Sequence, residues 1–141
     1  MSLPLPIPDP VTRPFWDSLK AHAIKLQRCS GCGKFVYYPR AVCPGCLSDD
    51  LVWTDVSGRG VIHAFTIPHR HPNPAFQVPY VVVLVELDEG VRMLSNLIDV
   101  EPVPEAVPIG TPVEIVYDDV SEAITLPRFR LTAGNNRPAS R

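Results

Sequence analysis

No stretch of this 141-residue chain approaches the roughly 18 consecutive apolar residues that a membrane-spanning helix needs, so no such span is expected. The opening MSLPLPIPDP has neither a basic n-region nor a continuous apolar core, so a secretory leader is not expected and the cytoplasm is the default address. Positive charge is not in excess. Thirteen Lys and Arg face fifteen Asp and Glu, a net charge of −2, which leaves no global basic field to attract nucleic acid or an anionic membrane. Patterns for nucleophilic or acid–base chemistry are missing as well: no Ser-His-Asp, Cys-His, paired-carboxylate or phosphate-loop spacing is visible. His63, His69 and His71 cluster in sequence, but neither a third metal ligand nor an acidic orienter stands at a telling spacing, and Asp55 and Glu86 carry no such signal. They read as exposed loop and strand histidines rather than as the centre of a free-standing enzyme.

Proline is plentiful, with seventeen residues beside eight glycines, which favours short strands and turns over long helices. Residues 1–13 carry Pro4, Pro6, Pro8 and Pro10 at alternate positions and form neither helix nor central strand, so they read as a mobile tail or a strap along a partner. From Pro14 to about Gln27 the pattern is helical: Thr12 can cap, Pro14 suits the first turn, and Phe15, Leu19, Ala23 and Leu26 share a face. Strands are expected over 51–56, 60–68, 80–87, 91–99, 112–118 and 123–131. The apolar run Tyr80-Val-Val-Val-Leu-Val-Glu suits a strand buried on both faces. Asp88-Glu-Gly90 reads as a tight hairpin, while Gly58 and Gly60 permit a bulge or a sharp bend. Five or six short hairpin-linked strands fit a small closed barrel of the OB type, with a sandwich as the competing architecture. The expected organisation is a proline-rich tail (1–13), a helix with a metal ribbon (14–50), a barrel (51–132) and a small polar disordered tail (133–141).

Four cysteines occur in two pairs, Cys29-Ser-Gly-Cys32 and Cys43-Pro-Gly-Cys46, ten residues apart. Each Cys-x-x-Cys turn sets two thiolates on one side of a tight loop, and two such turns make the tetrahedral all-sulfur site that zinc prefers. Protein ligands fill all four positions, so the site is structural. Disulfides would require an oxidising compartment that nothing in the sequence suggests. Iron takes the same ligand set, although the short loop between the pairs favours a minimal zinc ribbon. The run Phe35-Val-Tyr37-Tyr38 is a heavy aromatic load for so small a ribbon, and alternation turns two of the four away from the metal, onto the barrel or toward a partner.

The ordered set Phe15-Trp16, Gln27-Arg28-Cys29-x-x-Cys32-Gly33, Tyr38-Pro39-Arg40 and Cys43-Pro44-x-Cys46 resembles the rubredoxin-like zinc ribbon joined to an OB-fold of the domain of unknown function 35 family. Downstream, Gly58-x-Gly60-Val61-Ile62, Pro79-Tyr80-x-Val82, Glu86-Leu-Asp-Glu-Gly90, Ile109-Gly110-x-Pro112-Val113 and Leu126-Pro127-x-Phe129-Arg130 agree. The resemblance spans roughly residues 14–131. The proline-rich start and the Pro72–Pro74 loop look particular to this chain. It implies a mainly β protein that is not itself a catalyst: an accessory subunit of acyl-CoA metabolism, partnering a thiolase-like or acyl-CoA hydratase-type enzyme and contributing to acyl-CoA binding.

A coenzyme A ligand would need cationic forks for its phosphates and an aromatic face for adenine. Arg40, Arg59, Arg128 and Arg130 are the candidate cations, and Tyr38, next to Pro39-Arg40, is the candidate stacking residue. Each arginine can equally be a solvated face or a surface ion pair. OB barrels and zinc ribbons also serve single-stranded nucleic acids, which is the alternative reading and one that the acidic balance disfavours.

Overall fold

The computed structural model describes residues 5–70 and 78–132. The chain begins with helix α1 (Arg13–Lys20) and strands β1 (Lys25–Cys29), β2 (Phe35–Val36) and β3 (Leu51–Asp55). It continues through β4 (Arg59–Thr66), β5 (Val81–Leu87), β6 (Arg92–Leu97), a 3-10 turn at Pro104–Ala106, β7 (Pro112–Asp119) and β8 (Thr125–Leu131). Strands β2, β1 and β3 form a three-stranded antiparallel ribbon, and the other five close a barrel in the order β4-β5-β6-β8-β7. The expected mainly β architecture of helix, ribbon and five-stranded OB-type barrel is therefore present. Among the described residues, no helix is long and apolar enough to cross a membrane.

The helix is shorter than the sequence pattern predicts. It stops at Lys20 because the chain reverses through a Schellman-type cap: the Ala23 N–H reaches the Ser18 carbonyl (3.0 Å) and the His22 N–H the Leu19 carbonyl (2.9 Å). His22 takes the left-handed conformation (φ 57°) usually given to glycine. Leu26 is buried as expected, but on strand β1, and Ala23 is exposed. Thr12 occupies the N-cap position without a side-chain cap; its hydroxyl instead accepts the Asp9 N–H at 3.0 Å. Segment 51–55, grouped by sequence with the barrel, pairs along its length with β1, from Lys25↔Asp55 to Cys29↔Leu51. The ribbon sheet thus extends to Asp55.

Phe15 and Leu19 of α1, together with Ile24 and Leu26, are buried in one cluster with the inward residues of the barrel, among them Val83, Val85, Met93, Val113 and Phe129. Helix, ribbon base and barrel share one core. A second, small cluster of Cys29, Val36 and Cys43 sits under the metal-binding turns. On β5, Val81, Val83, Val85 and Leu87 point inward, while Val82, Leu84 and Glu86 are only half-buried. The strand is therefore not buried on both faces as its composition suggests, because a closed barrel has a single interior.

The β5–β6 hairpin turns at Gly90 (φ 91°), with the Leu87 N–H on the Val91 carbonyl at 2.8 Å. Gly60 is required by close approach: a Cβ there would overlap the Glu86 backbone across the β4–β5 pair. The register shift in that pair falls further along, between Ile62 and Ala64.

Candidate metal centre

Cys29 ends β1, and Cys32 follows in the turn that leads to β2. Cys43 and Cys46 form the facing turn before β3. Both turns are closed by backbone bonds of 2.8 Å, Gly33 N–H to the Cys29 carbonyl and Leu47 N–H to the Cys43 carbonyl. The four sulfurs lie within 4.8 Å of one another, with Cys29–Cys46 at 3.4 Å and Cys32–Cys43 at 3.7 Å. A tetrahedral site with metal–sulfur bonds of about 2.3 Å has sulfur–sulfur edges of about 3.8 Å, so the donor set fits a four-thiolate metal ion.

Backbone amides aim at the thiolates: the Cys32 N–H donates to Cys29 Sγ at 3.4 Å, and the Gly45 N–H to Cys43 Sγ at 3.3 Å. The Cys32 amide draws the Cys29 thiol down to about 6, and the amides of Cys46 and Gly45 lower Cys43. The Ser48 amide also favours the Cys46 thiolate, but crowding by the other sulfurs, led by Cys29, outweighs it and pushes Cys46 up to about 11. Four clustered thiolates repel one another, and a bound divalent cation is what holds all of them ionised. Every ligand position is taken by the protein, which makes the centre structural.

The ribbon rigidifies an aromatic patch where it meets α1. Val36 packs toward the metal, whereas Phe35 and Tyr37 pack on the main core. Burial, with some help from neighbouring Tyr38, pushes the Tyr37 phenol up to about 12, so it stays neutral. Tyr38 is 39% exposed, lies edge-on to Phe15, Trp16 and Tyr37, and accepts the Trp16 indole N–H at 3.1 Å. Gln27, only 5% exposed, holds the next segment in place. Its amide donates to the Arg40 carbonyl and accepts the Arg40 N–H, both at 2.8 Å. Arg40 itself is exposed and adjoins Tyr38 through Pro39.

The five candidate coenzyme A residues do not converge. Tyr38 and Arg40 belong to the ribbon patch. Arg59, Glu114 and Arg130 form a cross-strand row on β4, β7 and β8, in which Arg130 pairs with Glu114 at 2.8 Å. Arg128, with an 18% exposed side chain, pairs with the Asp118 carboxylate at 2.7 Å and donates to Asn96 Oδ1 at 3.0 Å, tying β8 to β7 and β6. Arg128 and Arg130 thus work as barrel ion pairs. His63 and His69 are exposed, and His71, the Pro72–Pro74 loop, Pro4 and the 133–141 tail lie outside the described residues.

Sequence reasoning missed Gln27, Arg28 and the His22 junction. His22 stacks on Tyr117 (ring centroids 4.9 Å, planes 8° apart), and its Nε2 lies 3.0 Å from the Asp119 carboxylate. Asp119 also accepts the Thr125 hydroxyl, and the Tyr117 hydroxyl accepts the Ile24 N–H at 3.0 Å. The Thr125 hydroxyl, with His22 second, lowers the Asp119 pKa. The His22 and Ile24 contacts join residues more than ninety positions apart in the chain and leave no local pattern to read.

Fold and site together define a metal-ribbon protein joined to an OB-type barrel. Two family models match in tandem: the ChsH2 rubredoxin-like zinc ribbon domain over residues 16–52 and the ChsH2 C-terminal OB-fold domain over residues 53–118. A DUF35 domain-containing scaffold protein of Methanothermobacter thermautotrophicus is 36% identical over 98 residues, which cover 67% of this chain and 71% of that one. The chain belongs to the DUF35 family of zinc-ribbon and OB-fold proteins. Among solved structures, a chain of the "Ltp2-ChsH2(DUF35) aldolase" superposes with a TM-score of 0.78 at 33% identity, covering 90% of this chain and 98% of that one. The "Probable enoyl-CoA hydratase alpha subunit" of Thermomonospora curvata is 37% identical over 117 residues, 82% of this chain but 36% of its own length. The chain thus spans little more than a third of that relative.

Proposed function

We infer that this protein is a non-catalytic accessory subunit that scaffolds an acyl-CoA enzyme of the thiolase-like or hydratase type and helps to bind its coenzyme A thioester, with zinc as the structural metal of its ribbon. The observation that carries this reading is the near full-length match to a chain of the "Ltp2-ChsH2(DUF35) aldolase". The hydratase-subunit name of the Thermomonospora relative supports the acyl-CoA connection. The architecture agrees with it, since the metal is closed to substrate and the ribbon holds Tyr38 and Arg40 exposed on either side of buried Pro39. Tyr38 and Arg40 are the proposed coenzyme A contacts on this chain; Arg59 is a third cation at the barrel rim, while Arg128 and Arg130 would have to leave their carboxylate partners to bind phosphate.

The single-stranded nucleic-acid alternative gains nothing from the barrel. The outward residues of β5 and β6 are Val82, Leu84, Glu86, Arg92, Leu94 and Asn96, with no aromatic on which a base could stack. The test is titration of the metal-loaded chain, alone and with its co-purifying enzyme, with coenzyme A and an acyl-CoA. The reading predicts saturable binding that weakens at least fivefold in Tyr38→Ala and Arg40→Gln. Equal affinity in both variants, or binding by the enzyme alone that this subunit leaves unchanged, refutes the coenzyme A part of it.

A further inference from the structure

Arg28 is not among the cations singled out by sequence, yet it lines two concavities beside the ribbon. One, of about 460 Å³, lies between the ribbon and the β5–β6 hairpin and is lined by Arg28, Gly33, Lys34, Phe35, Glu89, Gly90 and Val91. The other, of about 410 Å³, is shared by Arg28 and Gly33 with Ser30, Val52 and Thr54. We propose that the cleft between ribbon and hairpin is a phosphate-type anion site, with Arg28 as its fork and Lys34 as its second cation.

The guanidinium is held in advance of any ligand. Its central carbon lies 5.3 Å from the Phe35 ring centroid, and its Nε–H donates to the Gly33 carbonyl at 3.0 Å. That bond fixes the plane of the fork and leaves the two terminal nitrogens for paired hydrogen bonds to an oxyanion. Among the described residues, neither Arg28 nor Lys34 has an acidic partner. The one acidic group in the lining, Glu89, is already committed, because its carboxylate accepts the Ser57 N–H at 2.9 Å and lies 3.5 Å from the Ser57 hydroxyl. Two cations and one carboxylate leave the lining a net charge of +1. Gly33, at φ 78°, takes the left-handed turn that presents its carbonyl to the Arg28 Nε–H. Clefts between packed units are common ligand sites, and a shallow, polar one suits a phosphate better than an apolar ligand.

If the ligand is coenzyme A, this cleft takes its diphosphate or 3′-phosphate; that extension rests on the function proposed above, whereas the anion site does not. The test is a titration of the metal-loaded full chain with inorganic pyrophosphate at low salt, followed by the amide and Arg28 Nε–H resonances in ¹⁵N NMR spectra. Saturable shifts at Arg28, Gly33, Lys34 and Gly90 are expected. Arg28→Gln should weaken binding at least fivefold, Arg28→Lys about twofold to threefold because charge remains but the fork is lost, and Lys34→Gln about threefold. Arg92→Gln, on the barrel, should change nothing. An absence of shifts in the cleft, or equal weakening by Arg28→Gln and Arg92→Gln, overturns the site. Coenzyme A is titrated in parallel. If it shifts Tyr38 and Arg40 while pyrophosphate leaves the cleft untouched, the site fails and the acyl-CoA reading stands. If pyrophosphate binds at Arg28 and coenzyme A does not bind, the site stands and that reading fails.

Discussion

Replacing Gln27 with alanine should loosen the aromatic patch while leaving the metal in place. Gln27 sits in the middle of β1, paired with Val36 on one side and Trp53 on the other, and its side chain reaches beyond the sheet to clamp both backbone groups of Arg40 at 2.8 Å. The clamp does the work of a further strand pairing. A net contribution of about 0.5–1.5 kcal/mol for each hydrogen bond puts the loss at about 1–3 kcal/mol in total. Exposure of Arg40 lets water re-solvate part of what is freed and keeps the figure from rising further. For a chain of this size that is a fall in Tm of roughly 3–10 °C. Gln27→Glu refines the test, because a carboxylate still accepts the Arg40 N–H but sets an oxygen against the Arg40 carbonyl; it should be at least as destabilising as alanine above neutral pH. Denaturant unfolding of the metal-loaded protein gives the energy, and hydrogen exchange of the Arg40 amide localises it. A Gln27→Ala variant within 0.5 kcal/mol of wild type, with the Arg40 amide exchanging at its original rate, would refute the clamp.

Three further outcomes follow from the same geometry. Cys43→Ser should abolish the expected one metal ion per chain, measured by elemental analysis. Because metal binding supplies on the order of 10–16 kcal/mol in small zinc modules, the ribbon should unfold and the near-ultraviolet dichroism of Trp16, Tyr37 and Tyr38 should collapse. Phe15→Ala, which empties a fully buried site between helix and barrel, should cost about 3–5 kcal/mol in a single transition, since the two share one core. Asp119, lowered from 3.8 by Thr125 and His22, contributes stability that is present above its unfolded pKa and lost as pH falls through its lower folded value. Between pH 5 and pH 2 the wild-type Tm should therefore fall more steeply than that of Asp119→Asn; parallel profiles would remove Asp119 from the junction.

Much of this molecule is legible in its sequence, and the legible parts share a physical reason. The two Cys-x-x-Cys turns, the Asp88-Glu-Gly90 hairpin and the alternation in β7 are local signals, each set by residues within a few positions of one another. The helix end carries no local signal, because its left-handed cap residue is His22 between two alanines, where glycine would announce it. The pairing of 51–55 with β1, more than twenty residues back in the chain, leaves no local signal. For Arg128 and Arg130 a surface ion pair is open from sequence, but the partners Asp118 and Glu114 become visible only through the β7–β8 register. Gln27 and Arg28 stand beside a metal ligand, in the stretch quoted for the family resemblance, yet neither residue type marks a clamp or a fork until the fold brings Arg40 and Phe35 to it.

The central claim, that this chain is a scaffold for an acyl-CoA enzyme, is tested most directly by purifying the tagged, metal-loaded protein from its native host at moderate salt and identifying by mass what comes with it. The account predicts a stoichiometric thiolase-like or hydratase-type enzyme, retained by the wild-type chain and lost from Cys43→Ser. Recovery of the wild-type chain alone, or with nucleic acid in place of an enzyme, would contradict it.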